Sequence, residues 1–347
     1  MASALIRNEH CNPFLSGSNE SIVARRRVAP RLRRSRRSSR SRSSHRGSTD
    51  DYDLDDFRGR SVTDEQKKDE QYYQKVFKPF AEELCDRANE ETMKFWRKRN
   101  WELPVEIKDD RSPVTVADKQ AELRMRELVR ERFPEHAIFG EEHGIELGLN
   151  GAKEFLWVFD PIDGTKSYIT GKPLWGTLIA LLRNGEPILG VLEQPVLKER
   201  WIGCKGAKTT FNGKICEVNK DEQKELKEAF MYSTTPLMFL GENERRFEKI
   251  KNAVKIPMFG CDCYAYGLLA NGFCDIVCEA DLKPYDYMAL VPIVLGAGGY
   301  MTDWEGQKLE FKNADDEDAI ELKRYQGEVL ACASERMWRD SIESLKK

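Results

Sequence analysis

Between residues 155 and 215 the chain passes through the apolar runs "FLWVF", "TLIALL" and "ILGVLEQ" and the shorter "ERWIG", with the turn "RNGEP" among them. Runs of this length bounded by Gly, Pro and Asn read as strands, and in this order they form a meander with interspersed loops. The last third changes pattern: a strand in "AFMYST", a helix through "NERRFEKIKNAV", a helix in "YAYGLLANG", a strand in "DIVCE" and a helix in "YDYMALVPIVLGAG". Strands feeding helices with glycine punctuation indicate a layered α/β architecture. Upstream, "FKPFAEELCDRANEETMKFW" spaces Phe77, Phe80, Leu84, Ala88, Phe95 and Trp96 at threes and fours, with a break between Ala88 and Phe95. A second helix is expected from Lys119 to Phe133, with Leu128 and Val129 inward and Pro134 as its stop. "HAIFGEEHG" then reads as a short buried strand ending on Gly140.

The run "WVF" breaks into "DPIDGT", which sets Asp160 and Asp163 where a buried strand ends. Other acids stand at similar places: Glu141 and Glu142 after "IFG", and Asp286 in "LKPYDYMAL" at a helix start. Carboxylates crowded in a low-dielectric site repel one another and lose hydration, so they stay ionised only if cations or donors offset them. With Asp and Glu rather than His as the available ligands, the fitting cation is Mg²⁺, a hard ion that prefers oxygen. Pro161 stiffens the loop, so Asp160, the carbonyl of Ile162 and Asp163 can converge. Gly164 permits the turn, and Thr165 opens a helix whose unpaired N–H groups suit a phosphate. Metal ions beside a helix start describe a phosphoryl-transfer site. Taken singly, Asp160 and Asp163 could form only a turn and an N-cap, and Glu141 could be a solvated loop acid. The joint pattern favours the functional reading.

Composition narrows the alternatives. No apolar run approaches the roughly 20 residues of a membrane helix, since Arg183, Lys198 and Arg200 interrupt the most hydrophobic region. Residues 1–60 carry an excess of arginine over acids, and the remainder is net acidic. An acidic body argues against a nucleic-acid surface spread over the fold. The segment 1–62, including "ARRRVAPRLRRSRRSSRSRSSHR", is expected to be disordered. It reads as a transit peptide for a plastid or other organelle, with a cytosolic or nuclear basic tail, or an arm contacting RNA, as alternatives. The nine cysteines lack paired C-x-x-C spacing and read as reduced, mostly buried thiols.

"GEE" at 140–142, "DPIDGT" at 160–165 and "YD" ahead of a helix ending in "GAGG" at 296–299 resemble the inositol monophosphatase family of Mg²⁺-dependent phosphatases. The resemblance spans about residues 65–345 and implies a five-layered αβαβα sandwich with metals between its two sheet regions. It implies one phosphatase domain over 63–347, with an N-terminal half, 63–225, holding the metal site and a C-terminal half, 226–347, holding specificity residues. Glu141, Asp160, the Ile162 carbonyl, Asp163 and Asp286 would hold two or three Mg²⁺ ions. Thr165 would help activate the attacking water, assisted by Asp118 in "SPVTVADKQ". The amides of Gly164 and Thr165 would hold the phosphate, with Lys108 near the family's basic position. A homodimer is implied as well.

The metal site does not choose the ester. "GCDCYAYGLLANGFCDIVCEADLKPYDYMALVPIV", with "DGTKSYITGKPLWGTLIALL" and "QPVLKERWIG", is similar to the histidinol-phosphatase branch. Histidinol carries an amine cation and a titratable imidazole, so its pocket should offer carboxylates. Asp262 and Glu279 fall at the two positions that contact the leaving alcohol by that resemblance. The plainer readings are an N-cap for Asp262 and a surface acid for Glu279. Glu193 replaces the aspartate frequently seen in the family before "QPV", and Leu295 stands where many relatives carry an acid before "GAGG". The expected activity is Mg²⁺-dependent hydrolysis of L-histidinol phosphate. The alternatives are an inositol or related sugar phosphatase, and a non-catalytic RNA-binding regulator acting through the basic tail.

Overall fold

The computed structural model describes residues 63–98, 105–107, 113–311 and 327–346. The segment 1–62 and Lys108 lie outside the described residues, so the readings made on them are not addressed by the structure.

Helix α1 (Asp64–Tyr72) runs through a π-helical turn at Tyr73–Phe77 into α2 (Lys78–Phe95). The short strands β1 (Val105–Ile107) and β2 (Pro113–Thr115) pair antiparallel and lead into α3 (Val116–Arg132). Next come β3 (Ala137–Gly140), β4 (Gly144–Glu146), β5 (Phe155–Asp163) and the short α4 (Thr165–Ile169). The meander follows as β6 (Gly176–Arg183), β7 (Glu186–Gln194), β8 (Glu199–Cys204), β9 (Thr210–Phe211) and β10 (Lys214–Ile215). The last third contains β11 (Phe230–Ser233), α5 (Glu242–Ala253), β12 (Ile256–Phe259), α6 (Tyr264–Ala270), β13 (Ile276–Leu282), α7 (Pro284–Tyr287), α8 (Leu290–Gly296), β14 (Tyr300–Thr302), β15 (Gly327–Cys332) and α9 (Glu335–Leu345).

An eight-stranded sheet has the order β10-β9-β8-β7-β6-β5-β3-β4, and a five-stranded sheet has the order β12-β11-β13-β15-β14. Helices α2 and α3 cover one face of the larger sheet, burying Phe77, Phe80, Leu84 and Met125 against Trp157, Phe159 and Ile179. Its other face meets α6 and α8, which also pack on the smaller sheet through Val277, Val329 and Ala331. Helices α5 and α9 close the far side through Phe247, Ile250, Trp338 and Ile342. These are the five layers, αβαβα, that the family resemblance implies. A fully buried aromatic such as Trp157 or Phe159 contributes about 2–3 kcal/mol by removal from water. Among the described residues no helix is long and apolar enough to cross a membrane, and the eight described cysteines are free thiols, seven of them buried.

The middle layer sits unusually close to the sheet. Gly190 of β7 pairs with Gly203 of β8. A Cβ on Gly190 would lie 1.8 Å from the Ala289 carbonyl oxygen, and one on Gly203 would lie 2.2 Å from that of Pro292. This slot seats the backbone of α8, and the preceding α7 carries Asp286.

Three local expectations change. Helix α2 runs unbroken through the apolar gap after Ala88, because Glu91 and Thr92 are the buried residues there; Glu91 pairs with Lys94 and Arg124. Helix α3 starts at Val116 rather than Lys119, since Thr115 and Asp118 form a reciprocal capping box. The helix expected through "YDYMALVPIVLGAG" is split into α7 and α8, because Pro292 has no N–H for the carbonyl four residues earlier.

His136 sits among aromatic rings, stacked on Phe133 at 4.8 Å and Phe155 at 4.7 Å. Its Nδ1 is 3.0 Å from the Trp157 indole N–H, which donates to it. Burial lowers its pKa to about 4, with Glu154 opposing weakly. A folded pKa below the unfolded value of about 6.5 means that stability is present above that value and drains away as pH falls toward 4. His136 therefore weakens the native state as pH falls from 6.5 to 4, and His136→Phe should make the thermal midpoint less sensitive to acid over that range, whatever its effect at neutral pH. Equal slopes in the two proteins would remove His136 as the acid-sensitive group.

Candidate metal and phosphate site

Strand β5 delivers two acids to one side by means of an extra residue. Asp160 pairs with Leu178 and Asp163 with Gly176, so three steps on β5 oppose two on β6. Without that bulge, residues three apart would face opposite sides of the sheet. The bulge is pinned by the Thr177 hydroxyl donating to the Pro161 carbonyl at 2.8 Å and by the Ile162 N–H donating to Asp160 Oδ1 at 3.0 Å. Ile162 is itself fully buried.

Carboxylate oxygens of Asp160, Asp163 and Asp286 all lie within 4.8 Å of one another. Each is steadied by a backbone N–H: that of Cys263 donates to Asp163 at 2.6 Å and that of Lys283 to Asp286 at 2.7 Å. The cluster thus draws on β5 and α7, braced by the start of α6, while Glu141, in the turn after β3, lies outside that group of three and acts on it through its charge. Burial, then the charge of Glu141, pushes Asp160 well above the usual carboxylate range. Burial, then Asp262, does the same to Asp163. Asp286 is pushed up to about 8 by burial and then by Glu141. Acids this destabilised in their charged form are suited to a cation that offsets them.

Asp118 is fully buried and lies within the field of Glu141. Its Oδ2 accepts from the Thr115 N–H and hydroxyl, while its Oδ1 is buried with no hydrogen-bond partner. An orphaned buried acceptor beside an acidic cluster fits a ligated water or cation. Burial raises its pKa to about 7, with the Thr115 bonds opposing. The Thr165 hydroxyl donates to the Ile162 carbonyl at 3.1 Å.

Gly164 precedes α4 with φ of +84°, in the left-handed region that disfavours side chains. A Cβ there would also lie 3.0 Å from Asp262 Oδ2. Asp262 is not the helix cap: Cys263 occupies that position without a side-chain bond, and Asp262 Oδ2 accepts from the Ser167 hydroxyl at 2.9 Å. Burial raises the Asp262 pKa, opposed by Ser167, Lys172 and Lys166. Glu279 lies within β13 and is 3% exposed, which removes the surface-acid reading. Its carboxylate accepts from Thr234 N–H at 2.9 Å, Thr234 hydroxyl at 2.6 Å and Tyr266 hydroxyl at 2.9 Å.

Two residues behind the site were missed. Glu122 and Arg126 are fully buried partners on α3; their spacing of four reads in sequence as an exposed helix pair. The available signal was position, since they fall beside the inward Ala121 and Met125.

The profile of the inositol monophosphatase family matches residues 74–339. The chloroplastic bifunctional phosphatase IMPL2 of Arabidopsis thaliana is 44% identical over 263 residues, which cover 76% of this chain and 73% of that protein. A histidinol-phosphatase of Chlorobaculum parvum is 32% identical over 228 residues, covering 66% of this chain and 86% of its own length. Among solved structures, an inositol monophosphatase from Zymomonas mobilis matches with a TM-score of 0.66 at 38% identity, covering 79% of this chain and 98% of that one.

Proposed function

We propose, because this chain belongs to the inositol monophosphatase family of phosphatases, that it hydrolyses L-histidinol phosphate with Mg²⁺ held by Glu141, Asp160, the Ile162 carbonyl, Asp163 and Asp286. The observation that carries the catalytic part is the convergence of three buried or half-buried aspartates within 4.8 Å, each fixed from behind by the backbone. Bound Mg²⁺ would supply Lewis acidity to the phosphoryl group and make a ligated water easier to deprotonate.

The chain's own residues do the rest. Asp118 keeps Oδ1 without a hydrogen-bond partner and so available as a proton acceptor. Thr165 is held by its bond to the Ile162 carbonyl and orients the nucleophile beside it. Gly164, which no side chain can replace without meeting Asp262, leaves room for the phosphate at the amides of Gly164 and Thr165.

For the leaving alcohol, Asp262 offers a half-buried carboxyl group beside Gly164, and Glu279 adds a second, fully buried acid behind it. Two acids favour a cationic alcohol over a neutral polyol. The name of the Chlorobaculum parvum relative supports the same substrate. Inorganic phosphate release should be measured over a panel holding histidinol phosphate, inositol 1-phosphate and a sugar phosphate. A wide preference for inositol phosphate would sink the substrate assignment. Asp262→Asn should lower kcat/KM for histidinol phosphate by roughly 10- to 100-fold, the range of a charge-assisted hydrogen bond. Its effect on inositol 1-phosphate should be much smaller, and an equal loss on both esters would deny Asp262 a role in selectivity. On the same footing, the Arg- and Ser-rich segment before Thr63 is a plastid presequence, a reading supported by the name of the Arabidopsis thaliana relative.

A further inference from the structure

Outside the cluster of acids, the described residues include a fully buried ion pair beside the turn that carries Glu141. Glu122 and Arg126 are 0% and 2% exposed, with Arg126 Nε 2.7 Å from Glu122 Oε1. Removing two charges from water costs several kcal/mol per ion before their attraction is counted. A pair kept at that cost needs its remaining hydrogen-bonding capacity filled, and here it is filled by one segment. The N–H of Glu142 donates to Glu122 Oε2 at 2.7 Å, and that of His143 to Oε1 at 3.1 Å. Arg126 donates to the Gly144 carbonyl and, at 3.3 Å, to Glu146, which Arg130 also holds. The segment so gripped is the turn that carries Glu141.

Gly140 completes the fit. A Cβ at that position would lie 2.2 Å from the carboxylate carbon of Glu122, so the acid occupies the space a side chain would need. Glu141 itself is bound through its N–H to the Phe159 carbonyl at 3.1 Å, directly before Asp160 on β5. Its backbone is thereby fixed by β5 on one side and by the buried pair on the other. From that fixed backbone the Glu141 charge acts on Asp118, Asp160 and Asp286.

We infer that Glu122, clamped by Arg126, is a positioning residue that sets the Gly140–Gly144 turn and with it the Glu141 carboxylate, so that it governs divalent-cation affinity more than the chemical step. This rests on the reading of Glu141 as a cation ligand.

The test compares Glu122→Gln and Gly140→Ala with Asp275→Asn. The first removes the charge and the second displaces the intact carboxylate. The third breaks a partly buried ion pair elsewhere, that of Asp275 with Lys224 at 2.7 Å. Mg²⁺ affinity is read by calorimetry, the amides of Glu142 and His143 by hydrogen exchange, and kcat by phosphate release at saturating Mg²⁺. In Glu122→Gln and Gly140→Ala, Mg²⁺ affinity should fall about 10- to 100-fold, as for residues supporting metal ligands. Amide protection at Glu142 and His143 should be lost, and kcat at saturation should stay within about 3-fold of the wild type, since the reacting groups remain. Asp275→Asn should lose thermal stability with unchanged affinity. Wild-type affinity in Glu122→Gln, or an equal loss in Asp275→Asn, overturns the inference. If Glu122→Gln does not fold, Gly140→Ala decides by the same criteria. Rapid exchange at Glu142 and His143 in the wild-type chain overturns it without any variant. A wild-type chain that binds Mg²⁺ but turns over no phosphomonoester sinks the proposed function alone, because the affinity comparison remains readable.

Discussion

Asp163→Asn is expected to lower kcat/KM by at least about 10³-fold while leaving the metal-free chain as stable as the wild type or more so; a loss on this scale is about 4 kcal/mol of transition-state stabilisation. Asparagine preserves the volume, and its Oδ1 can accept the Cys263 N–H that now donates to Asp163. What it removes is a half-buried acid whose charged form burial, Asp262 and Asp286 disfavour. For a residue that only braced the fold, the loss of activity and the loss of stability would run together. Here they should run in opposite directions, because the site holds acids in an environment that disfavours their charge. Thermal melting in chelator beside steady-state turnover makes the comparison. A thermal midpoint several degrees below wild type would make Asp163 a structural acid and remove it from the proposed ligand set.

The second large effect links Mg²⁺, pH and stability. Asp118 and Asp286 have folded pKa values of about 7 and about 8, above the 3.8 of an unperturbed aspartate. A raised folded value means that the native state holds protons the unfolded chain has already released. The stability so contributed is complete below pH 3.8 and is lost as pH rises through 7 and 8. These two acids should therefore cost the metal-free chain stability as pH rises from about 4 to 8, and above pH 6.5, where His136 no longer acts in the opposite sense, that loss stands alone. A cation favours the ionised acids, so the rise in thermal midpoint on adding Mg²⁺ should be larger at pH 8 than at pH 6.5. At a hundredfold excess over Kd the gain is about 2.7 kcal/mol. An Mg²⁺-induced shift that shrinks with rising pH would contradict this account, and Asp163→Asn should lose most of the shift at both values.

The layered architecture and the acids were legible because each rests on a local pattern. Apolar runs of strand length ended at turn residues, and Asp160, Asp163 and Asp286 stood at those ends. The bulge that brings Asp160 and Asp163 to one side was not legible, since it exists only in the pairing of β5 with β6. Glu122 and Arg126 were hidden for a different reason. A charged pair four residues apart on a helix is ordinarily solvated, and only the tertiary neighbours of α3 show that this one is enclosed. Pro292 was visible, but its effect was masked by the apolar residues around it, which continue the helical pattern across the break between α7 and α8.

The paired glycines at 190 and 203 bear on how variation in this chain should be interpreted. Neither residue approaches the acids, yet a methyl group at either would lever α8 off its sheet and carry Asp286 along through α7. In a survey of substitutions scored by turnover alone, both positions would rank with the proposed ligands. Scored by abundance as well, they would separate from them, since Gly190→Ala loses packing where Asp163→Asn does not. Inactivating changes in such a chain therefore fall into two kinds, those that empty the site and those that pull its two halves apart.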